Sequence, residues 1–252
     1  MYILSSDYDG TLFIDGEISK EDRKAIEKFR EKGHLFVINT GRNLEDIFDQ
    51  FDRNELEADY YIGSNGSIIA DKDRNVIFQA QFSENTAKDI VEYFEENLKE
   101  DVFYIASNDG FVIGINKFDA EFEFDKENVV DLGEAMEKPV ITMFSQAREK
   151  NETRDIVDQL NREFAGKAKF FNTAPFIDIT ETVHDKSTGL RFLDRILDGE
   201  VSRIVAVGDE LNDLSMITAF EGYAMKHASD FMKDNSDGQV RSVAKLIEKI
   251  LK

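Results

Sequence analysis

The chain has 252 residues, 41% of them hydrophobic and 33% charged, with two Pro, 15 Gly and no Cys. That composition fits a soluble globular protein of one large domain or two small ones, and it excludes a disulfide framework and thiolate chemistry. Asp and Glu number 52 against 31 Lys and Arg, a formal net charge of −21, so nucleic acid and anionic membranes are excluded as partners and any anionic ligand needs a locally positive site. Met1 leads into an apolar stretch without a signal-peptide layout, and no apolar run reaches membrane-spanning length. The expected location is cytoplasmic, and the expected state a monomer or weak homo-oligomer.

In chain order, Ile3–Ser6, Leu35–Asn39 and Ile204–Val207 read as strands covered on both faces. Between the first two lies a helix with readable ends: Ser19 and Asp22 form a capping-box pattern, Ala25, Ile26 and Phe29 share a face, and Gly33 stops it. A right-handed crossover then sets the second strand parallel to the first. Ile14-Asp15-Gly16-Glu17 predicts a small hairpin flap. From about Phe82 to Val183 the pattern becomes α+β, with a helix over Ser83–Leu98 and a hairpin whose arms are Phe103–Ile105 and Phe111–Ile113. Asn108-Asp109-Gly110 is its predicted turn. A strand at Val140–Phe144, a helix at Thr153–Phe164 and strands near Phe170 and Phe176 follow, and the acidic stretch Asp119–Glu127 reads as a solvated turn and edge strand. The βα pattern resumes after Lys186. The expected fold is therefore α/β: a Rossmann-like parallel sheet with helices on both faces over 1–81 and 184–252, interrupted by an inserted α/β (α+β) cap over 82–183.

The chemistry clusters at predicted strand ends. Asp7-Tyr8-Asp9-Gly10-Thr11 follows the first strand, Thr40-Gly41-Arg42 the second, and Gly208-Asp209-Glu210-Leu211-Asn212-Asp213 the third. Open α/β sheets bind ligands at these carboxyl edges. Clustered carboxylates repel, which points to a bound cation, a shared proton, or both. Lys186 opens a helix leading to the same edge, so two acidic pairs, a hydroxyl and a lysine can hold a divalent cation and a phosphate together. A calcium-binding EF-hand loop is excluded, because Gly16 stands where the bidentate Glu belongs and a strand precedes the motif.

These motifs, in this order, resemble those of the haloacid dehalogenase superfamily: a DxDG[TV] loop, a Thr or Ser after the second strand, a Lys, and a GDxxND-type acidic motif. A cap inserted between the second and third of them is similar to the Cof-type, subfamily IIB sugar-phosphatase-like members. Asn65-Gly66 and Gly222-Tyr223-Ala224-Met225 match the family's punctuation. The chain departs from the pattern in Ser187-Thr188-Gly189 after Lys186, and in Lys226-His227 where Gly-Asn is usual.

The resemblance implies a Mg²⁺-dependent phosphatase acting on small phosphorylated metabolites, with sugar phosphates the expected class. Asp7 is then the nucleophile and Asp9 the acid/base. Asp7, Asp9 (through its backbone carbonyl), Asp209 and Asp213 are the metal set, and Thr40, Gly41, Lys186 and Asn212 the phosphate-binding set, with Asn212 orienting Lys186 or the phosphate. Arg42 is a substrate contact reaching into the cleft. His184 and His227 are read as surface loop residues. The inserted domain is a lid with hinges near Gln81–Ser83 and Val183–Asp185. A phosphomannomutase-type phosphomutase and a receiver-like phospho-acceptor module are the alternatives.

Overall fold

The computed structural model describes residues 1–97, 102–107, 112–115, 137, 139–146, 153–173, 176–181 and 183–252. The first part of the chain runs β1 (Tyr2–Ser6), α1 (Lys20–Glu31), β2 (Leu35–Asn39), α2 (Leu44–Arg53), β3 (Tyr60–Gly63), a 3₁₀ turn (Ser64–Gly66), β4 (Ile68–Asp71) and β5 (Val76–Gln79). The middle contains α3 (Glu84–Asn97), β6 (Val102–Ser107), β7 (Val112–Ile115), β8 (Val140–Gln146), α4 (Thr153–Glu163), β9 (Ala168–Thr173) and β10 (Phe176–Glu181). The last part runs α5 (Lys186–Ile196), β11 (Arg203–Gly208), a 3₁₀ turn (Leu211–Asp213), α6 (Leu214–Ala219), β12 (Glu221–Met225), α7 (Asp230–Asp234), β13 (Gly238–Val240) and α8 (Val243–Ile250). It divides into two compact units, Met1–Phe78 with Asp185–Lys252, and Gln79–His184.

The first unit is built on a sheet ordered β13-β12-β11-β1-β2-β3-β4-β5. From β13 to β3 every pairing is parallel, and β4 adds to β3 antiparallel. The apolar runs explain this burial. Ile3, Val37 and Ala206 pack with Leu190 and Leu193 of α5 and Met216 of α6 on one face. Leu4, Phe36, Ile38, Val205 and Val207 are equally inaccessible and alternate with them, so they point to the opposite face. There α1 contacts β2 and packs on α8. The unit is thus a Rossmann-like α/β core with helices on both faces.

Its sequence-level features hold in detail. Ser19 Oγ accepts the backbone N–H of Asp22 at 3.0 Å, and α1 ends before Gly33. Ile14 and Glu17 exchange backbone hydrogen bonds of 3.0 and 3.1 Å around Asp15 and Gly16, both at positive φ, which makes the expected flap. Strands β3, β4, β5 and β13 are additions to the sequence reading. They are three or four residues long, too short to show a period above the surrounding polar residues.

The second unit is a five-stranded sheet ordered β7-β6-β8-β10-β9 with antiparallel pairings. Ile90, Val91 and Phe94 of α3 and Val157 and Leu160 of α4 share one core with Met143, Phe170, Ile177 and Ile179. The predicted hairpin arms pair as β6 and β7. The predicted Asn108–Gly110 turn and the Asp119–Glu127 stretch lie outside the described residues.

Candidate active site

Chain order explains where the site forms. From β1 the sheet grows outward through β2 and β3, and on the other side through β11, β12 and β13. The crevice between β1 and β11 is therefore a topological switch point, the standard ligand position of an open α/β sheet. Asp7 continues β1, donating its N–H to the carbonyl of Val207 at 3.0 Å. Tyr8 is fully buried, stacked on Phe13 with ring centroids 5.2 Å apart, and its hydroxyl bonds Gln50 at 3.2 Å. With the intervening ring turned into the core, Asp7 and Asp9 both remain on the site side of the backbone.

Asp209 approaches from β11. Gly10 has φ +77°, and a Cβ at this position would run into the Asp209 carboxylate. Thr11 donates its hydroxyl to Asp209 Oδ1 at 2.8 Å. The Asp-Gly-Thr sequence thus docks the first loop onto the third, a purpose the sequence reading did not give Thr11. Asp213, four residues on, brings its carboxylate to the same place as that of Asp209. It ends a 3₁₀ turn, and its Oδ2 reaches back to accept the N–H groups of Asp209 at 2.9 Å and Glu210 at 3.1 Å. The loop closes on itself because the carboxylate satisfies amides that would otherwise be orphans.

Lys186 enters from α5. Asp185 caps that helix, accepting the N–H groups of Ser187 and Thr188 at 3.0 Å each, while Thr188 Oγ1 accepts the N–H of Asp185 at 2.9 Å. Ser187 and Thr188, the departures from the family pattern, build this capping box. Asn39, at the end of β2, donates to the carbonyl of Lys186 at 2.9 Å. The Lys186 side chain has no solvent exposure; its Nζ lies 2.6 Å from Asp7 Oδ1 and also bonds Asp213 Oδ1.

Three carboxylates therefore face one ammonium. Oxygens of Asp7, Asp209 and Asp213 lie within 4.8 Å of one another, a set able to hold a metal ion. Burial first, and Asp213 beside it, raise the Asp7 carboxyl well above its ordinary value; the same two causes push Asp209 up to about 6. Burial alone would lower Lys186, but the attraction of Asp213 and Asp7 outweighs it and raises the lysine. The excess of buried negative charge and the all-oxygen donor set fit a hard divalent cation.

Asp9 stands apart from this cluster, with its side chain half exposed. Arg42 holds it in a fork, Nε to Oδ2 at 2.6 Å and Nη2 to Oδ1 at 2.8 Å. The same guanidinium binds Asp46 of α2 at 2.6 Å. Arg42 is thus fixed on Asp9. Thr40 is buried and accepts the Arg42 N–H at 3.2 Å, which leaves its hydroxyl proton to donate. Gly41 links the two. Asn212 does not meet Lys186 through its amide; it donates to Asn65 at 3.1 Å. His184 lies 3.4 Å from Glu181, and His227, exposed in the turn after β12 as expected of a surface loop residue, also brings Nε2 to 3.5 Å from Asp209 Oδ2. Its place in the unusual Lys226-His227 pair was the available signal.

The model of the haloacid dehalogenase-like hydrolases matches residues 4–245. The chain belongs to that family. Among relatives of this hydrolase, a 5-amino-6-(5-phospho-D-ribitylamino)uracil phosphatase of Bacillus subtilis is 28% identical over 239 residues, covering 93% of this chain and 88% of its own. A solved haloacid dehalogenase-like hydrolase from B. subtilis superposes with a TM-score of 0.83 at 19% identity, over 98% of this chain and 99% of that one. A sugar phosphatase of HAD subclass IIB superposes at 0.79 with 21% identity, over 99% of each chain. Within the family this hydrolase is a phosphatase of the Cof type. Among the described residues no helix is long and apolar enough to cross a membrane.

Proposed function

We propose that this protein is a cytoplasmic, Mg²⁺-dependent phosphatase that hydrolyses small phosphorylated metabolites through a phosphoaspartate on Asp7. The observation that carries this reading is the buried Lys186 ammonium paired with Asp7 and Asp213, with Asp209 completing the acidic set. Asp7, Asp209 and Asp213, with the Asp9 backbone carbonyl, would hold the cation. When bound, the ion neutralises the carboxylates and phosphate oxygens that would otherwise repel each other.

The remaining work falls to side chains. Lys186 fixes one oxygen of Asp7, leaving the other to attack phosphorus in line. As the Asp7–phosphorus bond forms, the bond to the leaving oxygen breaks, and Asp9 gives that oxygen a proton. Asp9 then takes a proton from the water that attacks the phosphoaspartate, releasing inorganic phosphate and regenerating Asp7. Lys186 and the Thr40 hydroxyl offset charge on the transferring group, with Gly41 bringing backbone close to it. Arg42 aims Asp9, and its second anchor on Asp46 keeps the guanidinium in place.

Selection of the leaving group is assigned to the inserted domain, residues 82–183, acting as a lid. The names of two relatives share one chemical feature, a phosphate on a polyhydroxylated carbon chain: a phosphoribityl group in one and a sugar in the other. Sugar and sugar-alcohol phosphates are accordingly the expected substrates. Release of inorganic phosphate from a panel of hexose, pentose and polyol phosphates, nucleotides and p-nitrophenyl phosphate tests this. Hydrolysis should require Mg²⁺, stop with EDTA and favour the sugar and polyol esters. Absence of metal-dependent release across the panel would overturn the reading.

A further inference from the structure

Between β3 and β4 the backbone does something costly. Ser64 and Asn65 are consecutive non-glycine residues at φ +47° and +51°, and both are buried. Left-handed backbone is unfavourable for most residues, Asn being among the more tolerant, and it persists where the surroundings impose it. Three segments of the proposed site impose it here. The Ser64 N–H bonds the carbonyl of Arg42 at 2.8 Å, and the Asn65 N–H bonds that of Thr40 at 3.0 Å. Gly66, at φ +96°, lies so close to Asp185 that a Cβ would run into its carbonyl, which sets the turn against the start of the Lys186 helix. The Asn65 side chain accepts the amide N–H of Asn212 at 3.1 Å within the buried interior.

We propose that Asn65 is a positioning residue for the phosphate subsite, acting through the Asn212 amide, while the left-handed turn that carries it keeps the Thr40 and Lys186 segments in register. The proposal rests on the phosphatase reading above. The Asn65–Asn212 bond determines which way the Asn212 amide faces, because an acceptor oxygen on Asn65 demands the NH₂ group. The Asn212 carbonyl oxygen is buried with no protein partner. As an acceptor it suits a water or another donor, while the second N–H of the Asn212 amide, beyond the one Asn65 accepts, is the group left to donate to a phosphate oxygen. A side-chain pair joining the Asp209–Asp213 loop to the end of β3 also gives Asn65-Gly66 a role beyond punctuation. Thr40, Lys186 and Asn212 come from three separate parts of the chain, and this turn touches the segment or side chain of each.

The test separates backbone from side chain. Asn65→Gly keeps the left-handed conformation without strain and removes only the amide. Calorimetric titration of the full chain with inorganic phosphate, in Mg²⁺, reads the subsite without requiring turnover. Asn65→Gly and Asn212→Ala should each weaken phosphate binding by about tenfold, and the double variant should be no worse than either single, as expected for two residues acting as one unit. Thermal unfolding should show all variants folded, and Asn65→Gly should lower kcat for p-nitrophenyl phosphate alongside phosphate affinity. Phosphate affinity within twofold of wild type in Asn65→Gly, or losses that multiply in the double variant, would overturn the proposal. A wild-type protein that binds phosphate but hydrolyses no ester would refute the phosphatase reading, while the binding cycle would still decide the role of Asn65.

Discussion

Lys186 carries a full charge into a place without solvent, which is tolerable only because Asp7 and Asp213 close around it. Removing one member of such a group leaves another buried charge uncompensated, so these residues couple chemistry to stability. His34 illustrates the same principle away from the site. Its ring stacks on Tyr2 at 4.6 Å, and its Nδ1 accepts the Tyr2 N–H at 3.3 Å. Burial, then the positive charges of the N-terminus and Lys32, lower its pKa below the ordinary 6.5. With the folded value depressed, the unfolded chain binds the proton first as pH falls, so this contribution is present above pH 6.5 and lost below it. His34→Phe keeps the ring contacts and deletes the titration; thermal unfolding followed from pH 7.5 to 5.5 should show a shallower loss than wild type. An unchanged slope would remove His34 from the pH response.

Helix ends do much of the joining between elements. Asp22, buried in the first turn of α1, accepts the Ser19 hydroxyl at 2.6 Å and the backbone N–H of Ala244 at 2.6 Å, the latter in the first turn of α8. One carboxylate thus serves two helix N-termini, where negative charge is favoured. Asp22→Ala should cost about 1–3 kcal/mol by stranding that buried N–H. Thermal unfolding should register about 2–4 °C of Tm loss per kcal/mol at this chain length; no measurable change would contradict the cap. The Ser19 half of this junction was legible in the sequence, since a capping box is local. The Ala244 half was not, because a contact between residues 22 and 244 exists only after the sheet brings α1 and α8 together. The same distinction runs through the site. Asp7, Asp9, Thr40, Lys186, Asp209 and Asp213 stood out because each follows or opens a regular element at short spacing. Asn65 and His227 reach their partners only through the third dimension, and the clamp of Arg42 on Asp9 depends on β1 and β2 being neighbours.

The whole molecule presents an electrostatic problem to its proposed substrate. A chain with net charge −21 must draw a phosphate dianion to a crevice lined by carboxylates. The fold answers by placing the crevice at the switch point between β1 and β11, where a buried lysine and a divalent ion can concentrate positive charge within a few residues. Alternating apolar runs and amphipathic helices made that parallel core readable, and the change of pattern near Phe82 marked the inserted α/β unit. The short outer strands β3 to β5 escaped because pairing, not local sequence, defines them. Everything proposed for this site depends on Asp7 acting as a nucleophile. The direct measurement is hydrolysis of p-nitrophenyl phosphate in Mg²⁺ by wild type and by Asp7→Asn, with circular dichroism confirming that both are folded. Wild type should turn over and Asp7→Asn should lose activity by about a thousandfold or more; an Asp7→Asn enzyme within a few-fold of wild type would contradict the phosphoaspartate mechanism.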